Sequence, residues 1–122
     1  MFILSHIGLV VEDINRSMNF YANVLNFSVG EYKADQDIKL LMLHNDTTTI
    51  ELIERRSDPF APRQTGLWDH LTFQVDDMYQ VLKRLQEHNV ELIDKEPRMS
   101  LFGKNVLFFY GPDGERIEFI EK

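Results

Sequence analysis

Four side chains that could bind a metal or move a proton recur at matched positions along the chain. His6 opens the stretch HIGLVVEDI (His6 to Ile14), and His70 opens HLTFQVDDM (His70 to Met78), which lies over the first without a gap. Glu51 sits in TIELIER (Thr49 to Arg55) and Glu118 in RIEFIEK (Arg116 to Lys122). The offset is 64 residues from His6 to His70 and 67 from Glu51 to Glu118, so the two matches keep their order and differ by a three-residue loop. The chain is a duplicated module.

Two imidazoles and two carboxylates form a mixed nitrogen and oxygen donor set. It suits one divalent ion of Ni, Co, Zn, Fe or Mn in five- or six-coordinate geometry, with open positions for water or substrate oxygens. The chain has no cysteine, which removes disulfides, thiolate nucleophiles and Cys-type zinc sites, and the local spacing of a calcium-binding EF-hand loop is missing. The other histidines have no counterpart in the opposite copy and read as structural. His88 falls in the last turn of a helix, where a cation is favoured, and His44 begins a turn.

Strands and helices must place those four residues. Ile7, Leu9 and Val11 alternate with His6, Gly8 and Val10, and Leu71, Phe73 and Val75 alternate with His70, Thr72 and Gln74. Each first strand therefore has an apolar face to cover a helix and an opposite face carrying histidine. By the same alternation Glu51 lies opposite Ile50 and Leu52, and Glu118 opposite Ile117 and Phe119. Helices are expected after Asp13 and Asp77 as N-caps. Ile14, Met18, Tyr21, Ala22 and Leu25 form the apolar stripe of the first, and Met78, Val81, Leu82 and Leu85 that of the second. Asn26 and Asn89 then suit the left-handed position that ends a helix.

Period-two stretches follow each helix: Phe27 to Tyr32, Lys39 to His44 and Thr48 to Ile53, then Glu91 to Ile93, Asn105 to Tyr110 and Arg116 to Ile120. Turn signals separate them at His44-Asn45-Asp46 and Gly111-Pro112-Asp113-Gly114. The expected class is α+β, a β-α-β-β-β module repeated in one domain spanning residues 1–122. The first module covers 1–55, a connection with Pro59 and Pro62 covers 56–66, and the second module covers 67–122.

Composition narrows the partners. In 122 residues there are 20 acidic and 13 basic side chains, a net charge of −7, which disfavours nucleic acid and anionic membrane surfaces because both are bound through Lys and Arg. No basic leader or long apolar stretch is visible, so a cytoplasmic location is expected, with a small-molecule substrate. Phe60 in the connection, Trp68 on the His70 face and Phe102 in the last loop are candidate substrate contacts.

The pieces HIGLVVEDINRSMNFYANVLNF, TIELIE, GLWDHLTFQVDDM and GPDGERIEFIE resemble, from end to end, the vicinal oxygen chelate superfamily, which includes glyoxalase I and methylmalonyl-CoA epimerase. The resemblance implies paired modules wrapped into a half-open barrel, metal positions at His6, Glu51, His70 and Glu118, and a homodimer. Its shared chemistry is proton abstraction next to a carbonyl under a Lewis-acid metal, with Glu118 as the base and Glu51 its opposite number. Short bacterial glyoxalase I carries an Arg where this chain has Val10 and an Asn where it has Arg55, which leaves Arg55 as the candidate partner of a substrate carboxylate. The loop Arg98 to Lys104 has a single glycine, Gly103, where the epimerases are richer in glycine.

The first expectation is a metal-dependent lyase or isomerase of glyoxalase I type acting on a thiol-hemithioacetal of a 2-oxoaldehyde. Methylmalonyl-CoA-type epimerisation is the alternative. Further alternatives are fosfomycin-type thiol transfer, which uses two His and one Glu, and a non-catalytic drug-binding resistance protein, which lacks the metal set. Any thiol in the reaction must come with the substrate.

Overall fold

A computed structural model describes residues 1–57, 60–61 and 66–122; Pro59 and Pro62 of the connection lie outside the described residues. The chain divides into two compact units, Met1–Ala61 and Pro62–Lys122. Among the described residues no helix is long and apolar enough to cross a membrane.

The first unit runs β1 (Ile7–Val10), α1 (Ile14–Asn23), β2 (Ser28–Ala34), β3 (Ile38–His44) and β4 (Thr49–Arg55). Its sheet has the order β1-β4-β3-β2, with β1 parallel to β4 and the other pairs antiparallel. The second unit repeats the plan with β5 (Leu71–Val75), α2 (Met78–Glu87), β6 (Arg98–Met99), β7 (Asn105–Tyr110) and β8 (Arg116–Glu121), in the order β5-β8-β7-β6. The parallel pairing matters most for function. It sets Gly8 against Glu51 and Thr72 against Glu118, so each histidine, two residues earlier on the same face, stands diagonally beside its own module's glutamate.

Helix boundaries follow from local chemistry. The Asp13 carboxylate accepts the N–H groups of Asn15 and Arg16, and that of Asp77 accepts those of Tyr79 and Gln80. Asn26 and Asn89 adopt φ of 59° and 54°, the left-handed conformation expected of them. The apolar stripe of α1 packs on β3 and β4, burying Ile14 and Tyr21 with Leu41, Leu43, Ile50 and Leu52; Ser17, absent from the expected stripe, is fully buried within it. In the second unit α2 packs on β8, and Met78 and Leu85 are buried with Leu107, Phe109, Ile117 and Phe119.

Two strand expectations need correction. Glu91 to Ile93 is not a strand: Leu92 makes an isolated bridge to Phe109, and the edge of the sheet is the two-residue β6. The cause is Asp94, whose carboxylate accepts the Phe108 N–H at 2.9 Å and so occupies a donor that a longer strand would have used. Pro97 follows, with no N–H of its own to give. In β7, Val106, Leu107, Phe108 and Phe109 are all buried, so the strand is covered on both faces rather than one.

Candidate metal centre

His6 lies just ahead of β1, and its Nε2 is 3.8 Å from Oε1 of Glu51 on β4. The matching pair of the second module is tighter, with Nε2 of His70 3.4 Å from Oε1 of Glu118. Both glutamates are more enclosed than their histidines, at 21% exposed against 37% in the first pair and 13% against 31% in the second. His6, Glu51, His70 and Glu118 are thus brought together as one His–Glu pair per module. Among the described residues no group of three or more His, Cys, Asp or Glu is gathered for a metal ion.

What surrounds each pair differs. The Asp69 carboxylate accepts from Nδ1 of His70 at 2.6 Å, and because a carboxylate can only accept, the neutral ring carries its proton on Nδ1 and presents the Nε2 lone pair on the Glu118 side. The other Asp69 oxygen accepts from Nη1 of Arg116 at 3.3 Å. The His70 hydrogen bond first, and the nearby Arg116 and His70 charges after it, hold the Asp69 carboxyl below its ordinary range against the desolvation that opposes them. Thr72 Oγ1 donates to Oε1 of Glu118 at 2.8 Å. The His70 ring stands edge-on to Phe108, centroids 5.0 Å apart, and the guanidiniums of Arg116 and Arg98 lie 5.1 and 5.6 Å from the same Phe108 centroid. In the first module the Nδ1 partner of His6 is Ser5 Oγ at 2.9 Å, and a hydroxyl can either donate or accept.

These donors fit a divalent ion. An imidazole Nε2 lone pair and a carboxylate oxygen 3.4 to 3.8 Å apart fall within the span of two metal bonds of roughly 2.1 Å each. A carboxylate on the far nitrogen of the ring is the usual outer partner of a metal-binding histidine.

The remaining sequence candidates are mostly exposed. Arg55 is exposed at the end of β4, and Phe60 is half-buried. Trp68 is 94% exposed and Phe102 95%, so neither is core and neither is enclosed by the described residues. His44 ends β3 with Nδ1 3.0 Å from Thr49 Oγ1, and His88 caps α2 with Nδ1 2.9 Å from the Arg84 carbonyl, as structural histidines do. Sequence reasoning passed over Asp69, Thr72, Phe108 and Arg116. The signal was there: Thr72 and Arg116 are each two residues from a repeated ligand and so share its face. Their counterparts Ser5, Gly8 and Thr49 break the repeat, which is why a search for recurring residues missed them.

The family profile described as Glyoxalase/Bleomycin resistance protein/Dioxygenase superfamily matches residues 3–119. The chain belongs to this superfamily. Within it, the chain is 26% identical to the mitochondrial methylmalonyl-CoA epimerase of Dictyostelium discoideum, the alignment covering 98% of this chain and 78% of that one. It is 25% identical to the lactoylglutathione lyase of Neisseria meningitidis, covering 98% and 90%. A solved glyoxalase family protein from Enterococcus faecalis superposes with a TM-score of 0.81 at 26% identity, covering 98% of this chain and 97% of that one. The superfamily fold, two β-α-β-β-β modules of mixed four-stranded sheets, is therefore that of this protein.

Proposed function

We propose that the two His–Glu pairs jointly hold one divalent metal ion, of Ni, Co, Zn, Fe or Mn, and that the protein is a lyase or isomerase of glyoxalase I type acting on a thiol-hemithioacetal of a 2-oxoaldehyde. The observation that carries this reading is the recurrence, in both modules, of an Nε2 and a carboxylate facing each other on the side of the sheet the helix does not need. Superfamily members are often enzymes and typically bind a divalent metal, and the alignments with the lyase and epimerase relatives each run over 98% of this chain.

In this reading His6, Glu51, His70 and Glu118 are the ligands. The bound ion supplies Lewis acidity to a carbonyl oxygen of the substrate. Glu118 takes the proton from the carbon beside that carbonyl. Its Oε1 is engaged by Thr72, which leaves Oε2 to receive the proton and return it to the neighbouring carbon. Asp69 keeps the His70 ring from turning while Glu118 changes charge. Arg55, Phe60, Trp68 and Phe102 are the proposed substrate contacts, and the acting species is a cytoplasmic homodimer without nucleic acid or membrane partners.

The second reading is epimerisation beside a CoA thioester. It is favoured by the presence of two carboxylates at matched positions of the repeat, since a proton removed by one can be returned by the other, and by Val10, an apolar residue where glutathione-using relatives place a cation. The deciding experiment is an assay of metal-reconstituted protein on methylglyoxal hemithioacetals of several thiols and on methylmalonyl-CoA, following isomerisation and α-proton exchange with deuterated solvent. Metal-dependent isomerisation of a hemithioacetal supports the first reading, and exchange confined to the CoA substrate supports the second. A protein that takes up no metal and exchanges neither α-proton overturns both.

A further inference from the structure

The two His–Glu pairs are unequal, and the inequality follows from residues the duplication does not share. Around His70 three groups converge: the Asp69 carboxylate on Nδ1 at 2.6 Å, the edge-on Phe108 ring at 5.0 Å, and Glu118 beside Nε2, itself held by Thr72 at 2.8 Å. Asp69 is in turn tethered by Arg116, whose guanidinium also rests on Phe108. In the first module Asp69 is replaced by Ser5, Thr72 by Gly8 and Arg116 by Thr49. Among those positions only Ser5 offers the His6 ring a hydrogen-bond partner, and a hydroxyl stabilises either tautomer.

An unconstrained neutral imidazole prefers its proton on Nε2, the atom that would have to ligate. A carboxylate on Nδ1 reverses that preference, fixes the ring plane and makes Nε2 more basic. We infer that Asp69 is the positioning residue of the His70–Glu118 pair, committing His70 to its ligating tautomer so that this pair contributes more to metal affinity than the His6–Glu51 pair. The inference rests on the proposed reading that these pairs bind a metal.

The test uses the full chain without substrate. Long-range proton–nitrogen NMR of the histidine rings, recorded well above the ordinary histidine pKa of roughly 6.5 on metal-free protein, assigns each tautomer. His70 is expected as the Nδ1–H form, changing to the Nε2–H form in Asp69→Ala. Calorimetric titration with Zn2+ is then expected to show affinity falling about 10- to 100-fold in Asp69→Ala and less in Ser5→Ala. His70→Gln should cost more affinity than His6→Gln. Asp69→Asn, which keeps an acceptor and loses the charge, should restore the Nδ1–H form and recover part of the affinity, and it serves as the probe should Asp69→Ala fail to fold.

An unchanged His70 tautomer in Asp69→Ala overturns the inference. So does wild-type Zn2+ affinity in that variant, or a larger loss from the His6 and Ser5 substitutions than from those at His70 and Asp69. The last two results leave the metal reading standing, whereas wild-type protein that binds no Zn2+ defeats both.

Discussion

Glu54 follows Glu51 by three residues on β4, and the odd spacing turns the two carboxylates to opposite faces of the sheet. Glu51 faces Nε2 of His6, whereas Glu54 reaches the helix side, where its Oε1 accepts the Ile14 N–H at 2.8 Å at the start of α1. The second module does the same: Glu118 faces His70, and Glu121 accepts the Met78 N–H at 2.7 Å at the start of α2. Both glutamates of each repeat therefore recur, but for different reasons. One of each pair satisfies a helix N-terminus, whose first N–H groups have no partner within the helix. The other contributes nothing of that kind, so its recurrence is better explained by chemistry on the open face.

Replacing the base should separate these roles. Glu118→Gln keeps the shape of the side chain and an oxygen that can ligate, but its amide cannot take a proton. Turnover on the true substrate is expected to fall by roughly 10²- to 10⁴-fold, with near-normal metal content by elemental analysis. A variant with the wild-type rate would remove Glu118 from the mechanism.

The capping glutamates should behave in the opposite way. Glu54→Gln and Glu121→Gln each weaken a charge-assisted bond at a helix N-terminus. A loss of about 1 kcal/mol is expected, read as a melting temperature lower by roughly 3–5 °C, while bound metal per chain stays at the wild-type value. Glu54 also loses its contact with Lys39, 3.4 Å from Oε2, so its substitution should cost slightly more. Loss of metal without loss of stability would exchange the roles argued for the two glutamates.

Much of this arrangement is legible from local rules. Asp13 and Asp77 cap their helices and Asn26 and Asn89 end them because those preferences depend on the adjacent backbone alone. That His6, Glu51, His70 and Glu118 lie on the faces not needed by the helices follows from period-two alternation plus the repeat, whereas the pairing of each histidine with its own module's glutamate is set by strand register. What escapes is whatever depends on register between distant strands. Asp69 meets Arg116 only because β5 runs parallel to β8, and Asp94 ends the expected Glu91 to Ile93 strand only because it lies opposite Phe108. The burial of Phe108 on the ligand face likewise depends on two arginines from separate strands stacking on its ring.

The turn between β2 and β3 should give a small acid-sensitive contribution. The Asp35 carboxylate accepts the N–H of Asp37 at 2.8 Å and of Ile38 at 3.0 Å, and these bonds, with the Arg56 charge as a lesser cause, hold its carboxyl below the ordinary range. A carboxyl whose folded value lies below its unfolded value stabilises the fold above the unfolded value, and the gain is lost as pH falls through the folded one. Asp35→Asn keeps an acceptor without the charge. Its melting temperature should therefore lie below wild type by a constant amount from neutral pH to about 5, and the gap should close in stronger acid. A gap that widens on acidification would contradict the assignment.

Ser17 is the position where the fold should tolerate improvement. It is fully buried on α1 one turn after Ile14, and its Oγ has no hydrogen-bond partner among the described residues. An enclosed hydroxyl without a partner costs about 1–3 kcal/mol, and Ala is the better helix former, while the volume removed is that of one oxygen atom. Ser17→Ala is therefore expected to stabilise the chain by about 1–2 kcal/mol, seen as a melting temperature roughly 3–6 °C higher, because α1 packs on β3 and β4 without needing that oxygen. Metal content should not change, since the substitution lies on the helix side of the sheet and the His6–Glu51 pair on the other. A destabilised variant would show that Oγ is hydrogen-bonded in solution, and one that lost metal would show that the two faces of this sheet are coupled.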